Sequence, residues 1–367
     1  MSAKLRLGLI IGGKSSEHEV SIASARNVFQ ALDRDRYDVV LIGIDRQGIW
    51  HLLDQEKFPS EMNAEHLVGR LSLVSRVVLV GCGQGHAAEV FSLSQRCAVD
   101  RIDLAFPLIH GENGEDGSLQ GLLQIMNVPY VGAGVLGSSI GMDKDVSKRL
   151  LKEAGIPVPR FLVLRRGEGC TLRQVEEQVG VPCFVKPANA GSSVGVSRAA
   201  GETELRESME LAFRFDNKIL IEEAVQGREI ETSVLGWEKP EASLSGEIVP
   251  HSRHGFYSYD SKYKDPQGAE LHVPARLDAS LQRRIQDLAI EVFRVLCCHG
   301  MGRVDMFLTL DGRLLVNEIN TIPGFTGISM YPKLWEASGL PAGRLLDRLI
   351  DTALEYHRRQ CDLKHSR

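Results

Sequence analysis

Residues 303–320 read Arg303-Val-Asp-Met-Phe-Leu-Thr-Leu-Asp-Gly-Arg-Leu-Leu-Val-Asn-Glu-Ile-Asn320, and this stretch decides the fold prediction. Its Asp311-Gly312 pair separates two alternating apolar runs, which is the strongest short-range signal of a β-hairpin with a two-residue turn. Counting outward from that turn gives four cross-strand pairs: Leu310 with Arg313, Phe307 with Val316, Asp305 with Glu318, and Arg303 with Asn320. Because side chains alternate between the two faces of a strand, the polar members of the last two pairs share one face.

This register places two carboxylates, Asp305 and Glu318, directly opposite each other. With Cβ atoms about 5 Å apart, they repel by roughly 3 kcal/mol at an effective dielectric constant of about 20. A hard divalent cation held by carboxylate and amide oxygens would turn that repulsion into attraction. Phe307 and Val316 on the same face indicate a partly enclosed cleft, so the stretch predicts a Mg²⁺ site. The alternative is a solvated hairpin, or a pair partly neutralised by Arg303.

The composition is that of a soluble globular protein. The chain has 367 residues, of which 43% are hydrophobic and 25% charged, and its formal net charge is −5. Without a basic block it has no electrostatic footprint for nucleic acid or anionic membrane, and no apolar run approaches the ~20 residues of a membrane span. The apolar N-terminus leads straight into a turn, which favours a buried strand over a signal peptide. Seven scattered cysteines without a C-x-x-C pair indicate reduced thiols and a cytoplasmic location.

Patterning along the chain predicts an α/β protein of several domains. The first elements are a strand over 5–11, a helix over 17–31 with Ser16 and Glu19 at capping-box spacing, and a strand over 38–44. A further buried strand over 103–109 ends at His110. The remaining predicted elements are helices over 118–127, 143–154, 171–179, 202–213, 278–298 and 342–358, strands near 77–80, 183–187, 194–197, 218–222 and 228–236, and a polar loop over 250–269.

A glycine-serine loop joins two of these apolar runs. It reads Lys186-Pro-Ala-Asn-Ala-Gly-Ser-Ser-Val-Gly-Val196. Its N–H and hydroxyl groups can donate to phosphate oxygens, and its glycines allow close backbone approach. The loop lies between strands, unlike a Walker loop, which opens a helix. Taken alone, such a loop is more often an ordinary hairpin; combined with Lys144, the carboxylate hairpin and the acidic end of the run Ile219–Val225, it favours a nucleotide site.

The order of these features resembles the ATP-grasp superfamily and, within it, the D-alanine–D-alanine ligase family, over essentially the whole chain. The motifs that carry the resemblance are Gly12-Gly-Lys-Ser-Ser-Glu17-His-Glu-Val-Ser, His110-Gly-Glu-Asn-Gly-Glu-Asp-Gly, Met142-Asp-Lys144, Lys186-Pro…Gly191-Ser-Ser-Val-Gly, Tyr259-Asp-Ser-Lys262-Tyr263, Gly302-Arg303-Val-Asp305, and Asn317-Glu318-Ile-Asn320-Thr-Ile-Pro-Gly-Phe-Thr…Ser329.

The resemblance implies an ATP-grasp fold of class α/β with an α+β C-terminal part. It implies an N-terminal Rossmann-like parallel-sheet domain over 1–132, a small central domain over 133–221 and a C-terminal domain over 222–367. The implied reaction joins two D-alanine molecules through a D-alanyl phosphate, consuming ATP and supplying a peptidoglycan precursor. The implied cofactors are two Mg²⁺ ions, which Mn²⁺ could replace. The implied assembly is a homodimer, and the implied partner is the small-molecule substrate D-alanine; the net charge already argues against nucleic acid and membrane as partners.

The resemblance also assigns roles to residues. It implies that the catalytic residues are Glu17, Ser192, Tyr263 and Arg303. Substrate contacts fall on His110, Lys262 and Ser329. ATP contacts fall on Lys144, Lys186, Ser193, Glu222, Glu223, Ala224, Val225, Glu229 and Asn317, and metal ligands on Asp305, Glu318 and Asn320.

Several of these residues have a structural alternative. Lys144 and Lys186 could be solvated surface lysines, and Arg303 could form an ion pair with Asp305 alone. Glu17 is favoured in the first turn of a helix by the helix dipole. His110 could be a core histidine and Ser329 an ordinary helix-terminal serine, so their substrate roles depend on the resemblance.

The sequence also bears on three alternatives to the ligation of two D-alanine molecules. A D-alanine–D-lactate or D-alanine–D-serine ligase of the same family is disfavoured by the Lys262-Tyr263 pair, which matches the alanine type. A regulatory protein that binds ATP without turnover would lack metal or phosphate ligands, and all are present here. A dinucleotide-dependent oxidoreductase is excluded because Gly8-Leu-Ile-Ile-Gly-Gly13 does not fit G-x-G-x-x-G.

Overall fold

Three β-sheets with helices packed against them make up the structure, a computed structural model that describes residues 3–58, 73–83, 87–250 and 269–363. The strands are β1 (Leu5–Gly12), β2 (Tyr37–Ile44), β3 (Trp50–Leu53), β4 (Leu73–Gly81), β5 (Ala88–Ser92), β6 (Cys97–Ile102), β7 (Leu104–Pro107), β8 (Phe161–Arg165), β9 (Cys183–Pro187), β10 (Ser197–Ala199), β11 (Lys218–Glu223), β12 (Gly227–Gly236), β13 (Glu241–Pro250), β14 (Ala269–His272), β15 (Gly300–Thr309) and β16 (Leu314–Asn320). The helices are α1 (His18–Ala31), α2 (Ser118–Ile125), α3 (Val135–Met142), α4 (Lys144–Glu153), α5 (Leu172–Gln178), α6 (Glu202–Ala212), α7 (Ala279–Val295), α8 (Met330–Ala337) and α9 (Ala342–Cys361). The predicted α/β class is confirmed. The polar loop over 250–269, with Lys262 and Tyr263, lies almost wholly outside the described residues.

The N-terminal sheet has the order β6-β5-β4-β3-β2-β1-β7 within the described residues. The predicted βαβ opening is confirmed, since β1 pairs in parallel with β2 on one side and β7 on the other. Nearly continuous apolar runs in β1 and β2 permit this, because parallel strands are buried on both faces. The antiparallel extension β3–β6 was not predicted in full, because its strands are short and weakly patterned.

Helix α1 begins one residue later than predicted. Glu17 is the N-cap residue and its side chain makes no cap hydrogen bond. Its carboxylate instead accepts a hydrogen bond from the Ser192 hydroxyl in the glycine-serine loop. This contact connects the start of α1 to the glycine-serine loop.

The second sheet is four-stranded, with the order β10-β9-β11-β8 and antiparallel pairing throughout. Helices α5 and α6 belong to the core on one of its faces, through Val175 and Leu205. The strand predicted over 194–197 is shifted and lies at Ser197–Ala199. The glycine-serine loop occupies the positions before it, where consecutive left-handed residues cannot continue a strand.

The third sheet has the order β14-β13-β12-β15-β16. Helix α7 covers one face, with Phe293 and Val292 packed against Val304 and Val316 in a shared core. Helix α8 and strand β13 were not predicted. The N-terminal sheet is joined to this part by another core, in which Phe106 of β7 meets Phe325 with ring centroids 6.1 Å apart.

The predicted hairpin forms, and its register is confirmed at the two polar pairs: Asp305 lies opposite Glu318 and Arg303 opposite Asn320. Nearer the turn the predicted register is wrong by one residue. Phe307 pairs with Leu315, and Val316 pairs with Met306. The predicted Leu310–Arg313 pair does not form either, because the Thr309 N–H donates to the Arg313 carbonyl at 2.9 Å and Leu310 lies in the turn.

Two one-residue irregularities cancel to restore the register. The turn has three residues and ends at Gly312 with φ +81°, the left-handed geometry that such a loop requires. An additional residue in β16, Asn317, has no partner in β15 and forms a β-bulge. The bulge directs Val316 into the buried core, correcting its predicted place in the cleft, and both Asn317 and Glu318 line the cleft.

A buried histidine gives a prediction for the stability of this fold. His299 stacks on Tyr356 with ring centroids 3.7 Å apart, and burial lowers its pKa to about 4. Between pH 6.5 and about pH 4, His299 therefore binds a proton in the unfolded chain and stays neutral in the folded chain. The contribution is fully present above pH 6.5, and about 3 kcal/mol of unfolding free energy is lost as the pH falls to 4.

We expect His299→Phe to remove this part of the pH dependence while keeping an aromatic ring for the stack. The measurement is urea unfolding of both proteins at neutral pH and near pH 4. Equal losses of unfolding free energy in wild type and variant would show that His299 does not cause the acid sensitivity.

Candidate active site

A cleft between the four-stranded and five-stranded sheets contains most of the predicted site residues. Its main chamber has a volume of about 550 Å³ and is lined by residues of β9, β11, β12, β15 and β16. A smaller chamber of about 100 Å³ extends towards α1 and the start of α8. The two chambers share Ser192, Glu231, Ile248 and Glu318 in their linings. Two adjoining compartments suit ligands that meet at these residues.

The hairpin carboxylates line this cleft and have nearby cationic partners. Asp305 accepts two hydrogen bonds from Arg303, at 2.8 Å from Nε and 2.7 Å from Nη2. The Asn320 amide donates to Asp305 Oδ2 at 3.0 Å. Lys144 Nζ lies 3.3 Å from Glu318 Oε2. The repulsion expected between the two carboxylates is therefore balanced by protein cations in this structure.

The donor set fits a divalent metal that is completed by another ligand. Asp305, Glu318 and the Asn320 amide provide oxygen ligands on adjacent strands. The part of the chain that the structure describes contains no group of three or more His, Cys, Asp or Glu placed to hold a metal. Mg²⁺ is commonly held by one or two carboxylates plus substrate phosphates, with no all-protein cage, so two carboxylates and an amide are sufficient.

Arg303 connects the metal candidates to a residue that the sequence did not indicate. Its Nε lies 2.9 Å from Glu231 Oε2, and Glu231 pairs directly with Asp305 across β12 and β15. Although burial alone would lower it, the carboxylates of Asp305 and Glu231 hold the pKa of Arg303 well above its ordinary value. The sequence offered one signal for Glu231, its spacing of two residues from Glu229, which puts both side chains on the same face of β12. Placing that face beside Asp305 required knowing that β12 pairs with β15.

The phosphate candidates Lys144 and Lys186 are both buried at the cleft. Lys144 Nζ donates to the Ala190 carbonyl at 2.8 Å, which ties it to the glycine-serine loop. Lys186 Nζ lies 2.7 Å from Glu222 Oε1 and donates to Asn317 Oδ1 at 3.3 Å. Although burial alone would raise it, Lys148 and Lys186 hold the pKa of Glu222 below its ordinary value.

Lys148 was missed in the sequence, although it lies four residues after Lys144 on the same helical face. Its Nζ lies 2.8 Å from Glu222 Oε2 and donates to the Asn317 carbonyl at 3.0 Å. Burial lowers its pKa to about 8 while Glu222 opposes the change, so the ammonium form still predominates at pH 7.

The glycine-serine loop has an unusual backbone. Ser192 and Ser193 have φ of 49° and 59°, in the left-handed region that non-glycine residues rarely adopt. Such conformations persist where surrounding contacts hold them and cluster at ligand sites. One such contact is the hydrogen bond from Ser192 to Glu17, and the loop lines both chambers.

Two glycines lie close to the Glu17 carboxylate. A Cβ on Gly191 would lie 2.8 Å from Glu17 Oε2, and one on Gly111 would lie 2.9 Å from it. The structure thus brings together Glu17 and Ser192, two of the residues to which the resemblance assigns catalytic roles. Tyr263, another of these residues, lies outside the described residues, as does Lys262.

His110 is held by the protein at both ring nitrogens. Its Nδ1 lies 2.9 Å from the Ile322 carbonyl, which can only accept, so Nδ1 carries the hydrogen. Nε2 then accepts from Ser24 Oγ at 3.0 Å, and Ser24 in turn accepts from the Phe325 N–H at 3.1 Å. Burial lowers the pKa of His110, which agrees with a neutral ring. His110 lines the smaller chamber, and Ser24 was not detected from sequence.

Glu115 is a second residue of the smaller chamber that sequence reasoning missed. Its carboxyl oxygens accept from the N–H groups of Gly111 at 2.8 Å and Ile322 at 2.9 Å. Burial, followed by the nearby Glu17 charge, raises its pKa to about 8. Glu115 thereby links the loop after β7 to the loop after β16, which together form one wall of the chamber.

Ser329 and the remaining ATP candidates lie as follows. The Ser329 hydroxyl lines the smaller chamber and accepts from the Thr326 N–H at 3.0 Å. Members of the predicted ATP set that line the main chamber are Lys144, Lys186, Ser193, Glu222, Glu223, Val225, Glu229 and Asn317. Glu223 also forms an ion pair with Arg160 at 2.7 Å. The N–H of Ala224 donates to the Pro182 carbonyl at 3.3 Å.

Two protein-family models match this chain. Residues 6–133 match the family model described as the D-ala D-ala ligase N-terminus, and residues 150–351 match the D-ala D-ala ligase C-terminus. The chain belongs to the D-alanine–D-alanine ligase family. The family resemblance stated from the motifs is therefore confirmed.

Individual members of the D-alanine–D-alanine ligase family match nearly end to end. The D-alanine–D-alanine ligase of Shouchella clausii is 48% identical over 366 residues, covering 99% of this chain and 98% of the relative. The solved structure of the D-alanine–D-alanine ligase from Coxiella burnetii is 40% identical, with a TM-score of 0.85, covering 98% of this chain and 96% of that one. A D-Ala:D-Ser ligase structure from Enterococcus faecalis is 35% identical, with a TM-score of 0.83, covering 96% and 100%.

In the part of the chain that the structure describes, no helix combines the length and the hydrophobicity needed to cross a bilayer.

Proposed function

We propose that this chain is an ATP-dependent ligase that joins two D-alanine molecules to D-alanyl-D-alanine for a peptidoglycan precursor. The observation that carries this proposal is the two-chamber cleft of a D-alanine–D-alanine ligase family member. Its lysine-lined chamber suits a nucleotide, and a smaller chamber adjoins it at Ser192 and Glu318. A carboxylate held in the smaller chamber would lie beside the phosphate end of a nucleotide in the larger one.

In the first step, a carboxylate oxygen of the first D-alanine attacks the γ-phosphorus of ATP. The bond from that phosphorus to ADP breaks, and D-alanyl phosphate forms. Such a transfer requires positioning and charge neutralisation more than covalent help. Lys144 and Lys186 supply positive charge to the phosphates, and Glu17 is proposed to hold the ammonium of the first D-alanine.

In the second step, the deprotonated amine of the second D-alanine attacks the carbonyl carbon of D-alanyl phosphate. The tetrahedral intermediate passes a proton from its nitrogen to the departing phosphate, the carbon–oxygen bond to that phosphate breaks, and dipeptide and phosphate remain. Arg303 is proposed to stabilise the oxyanion, since its planar fork of donors stays charged. Ser329 is proposed to bind the carboxylate of the second D-alanine, and His110 to shape the same chamber through its contacts with Ser24 and Ile322.

Divalent metal belongs to the same proposal. We propose two Mg²⁺ ions, with Mn²⁺ as a substitute, held by Asp305, Glu318 and Asn320. Glu318 would be a ligand to both, because it lies opposite Asp305 at the boundary of the two chambers. The ions would neutralise phosphate charge, which lowers the barrier to transfer.

The remaining assignments are proposed from the sequence. Lys262 and Tyr263 are assigned to a lid that excludes water from the acyl phosphate, which would otherwise hydrolyse. The polypeptide is proposed to divide into domains at 1–132, 133–221 and 222–367, to form a homodimer and to act in the cytoplasm. Ser193, Glu222, Glu223, Ala224, Val225, Glu229 and Asn317 are proposed to bind the nucleotide.

Lys186→Met tests the nucleotide assignment. Loss of a charged hydrogen-bond donor to a phosphate should raise the KM for ATP roughly tenfold to a hundredfold. The KM for D-alanine should change little. Lys239→Met, an exposed lysine between β12 and β13, is the matched control and should behave as wild type. A change confined to the D-alanine dependence would show that the roles of the two chambers are reversed.

Acceptor choice is tested by supplying candidate substrates separately. Phosphate release from ATP should require D-alanine, and L-alanine should not replace it. D-lactate and D-serine should each be added with D-alanine and the products separated. Predominant D-alanyl-D-alanine is expected, whereas predominant depsipeptide or D-alanyl-D-serine would select the alternative acceptor class.

A further inference from the structure

Lys148 is a charged residue with no place in the steps above. Its side chain is 0% exposed. It contributes to neither chamber's described lining. A fully buried ammonium is costly unless it is paired and hydrogen-bonded, so its contacts indicate what it does.

Lys148 and Lys186 contact the same two residues. Glu222 receives one lysine at each carboxylate oxygen, Lys186 at 2.7 Å on Oε1 and Lys148 at 2.8 Å on Oε2. Asn317 also receives both, Lys148 at 3.0 Å on its backbone carbonyl and Lys186 at 3.3 Å on its amide oxygen. The four residues form a closed ring, in which only Lys148 is sealed from the cleft.

The charges within this ring are unequal, since two ammonium groups share one carboxylate. Lys186 lines the main chamber, so a phosphate bound there would share its positive charge with Glu222. If Glu222 had no other cation, that sharing would leave a carboxylate that is 4% exposed only partly neutralised. Lys148 removes this conflict because it remains on Glu222.

We propose that Lys148 is a positioning residue: it neutralises and holds Glu222, so that the charge of Lys186 is available to the nucleotide phosphates. The inference depends on the proposed function, in which the main chamber binds ATP. Lys148 also donates a hydrogen bond to the Asn317 carbonyl. Asn317 is the bulge residue of β16 and has no pairing partner in β15.

The test is a double-mutant cycle in which ATP affinity is measured by calorimetry without D-alanine. In Lys148→Met, Glu222 retains only Lys186, so we expect the Kd for ATP to rise about tenfold or more. In Glu222→Gln the carboxylate is absent and Lys148 has no charge to neutralise. Adding Lys148→Met to Glu222→Gln should therefore change the Kd by less than about twofold.

Lys152→Met is the matched control, because Lys152 lies one turn further along α4 and is exposed. If Lys148→Met does not accumulate as folded protein, Lys148→Gln replaces it in both backgrounds, with the same expected changes in Kd. A tenfold loss of affinity in both backgrounds would overturn the inference, since Lys148 would then act independently of Glu222. An unchanged Kd in Lys148→Met would also overturn it. Wild type that binds no ATP would refute the proposed function itself.

Discussion

Glu318→Gln should lower kcat about a thousandfold while leaving the protein folded. Glu318 lies opposite Asp305 and 3.3 Å from Lys144, at the boundary of the two chambers. The substitution keeps the shape but removes one negative charge from the proposed metal site. Loss of a group that supports metal-assisted charge neutralisation is worth several kcal/mol in the transition state, and about 4 kcal/mol corresponds to a thousandfold change in rate.

The control for this variant is Asp311→Asn in the turn of the same hairpin. Asp311 pairs with Arg313 at 2.7 Å on the exposed surface, away from the cleft. Its loss should leave kcat within about twofold, because exposed ion pairs contribute little. Thermal unfolding of both variants separates lost chemistry from lost structure. Near-normal turnover in Glu318→Gln, with Mg²⁺ at saturation, would rule out the bridging role.

Arg303→Lys should lower kcat about a hundredfold to a thousandfold, although it retains the positive charge. Arg303 binds both Asp305 and Glu231, with contacts of 2.7–2.9 Å. One ammonium cannot reproduce the planar fork that makes these contacts and also reaches an oxyanion. Removing one oxyanion donor typically costs this much in kcat.

Arg313→Lys provides the comparison for Arg303, since Arg313 is an exposed arginine of the same hairpin. It should have wild-type kinetics. The two substrates provide a second readout: the KM values for ATP and D-alanine should change much less than kcat, because the contact strengthens in the transition state. A large rise in KM with unchanged kcat would instead identify Arg303 as a ground-state binding residue.

The residues predicted from sequence share a local signal. Asp305 and Glu318 follow from counting along one hairpin, and Lys186 follows from the loop that comes directly after it. The predicted pairing of Asp305 with Glu318 is correct because the additional residue in the turn is offset by the additional residue Asn317 in β16. Neither irregularity could be read from alternation alone, and that is why Val316 was assigned to the wrong face.

The residues missed from sequence depend on contacts between distant elements. Glu231 acquires its role only when β12 lies beside β15, and Lys148 only when α4 packs against β11 and β16. Ser24 and Glu115 likewise act through the loop after β16. Hydrophobic patterns determine element type, whereas such pairings depend on sheet order and tertiary packing.

The most direct test of the chemistry is to follow oxygen from the first substrate. D-alanine labelled with ¹⁸O in its carboxylate is incubated with ATP, Mg²⁺ and the protein, and the released phosphate is analysed by mass spectrometry. If D-alanyl phosphate forms, its carbon–oxygen bond to phosphate breaks in the second step. One phosphate is then released for each dipeptide, and that phosphate carries one ¹⁸O atom. Unlabelled phosphate, or label found in AMP, would contradict transfer of the γ-phosphoryl group to the D-alanine carboxylate.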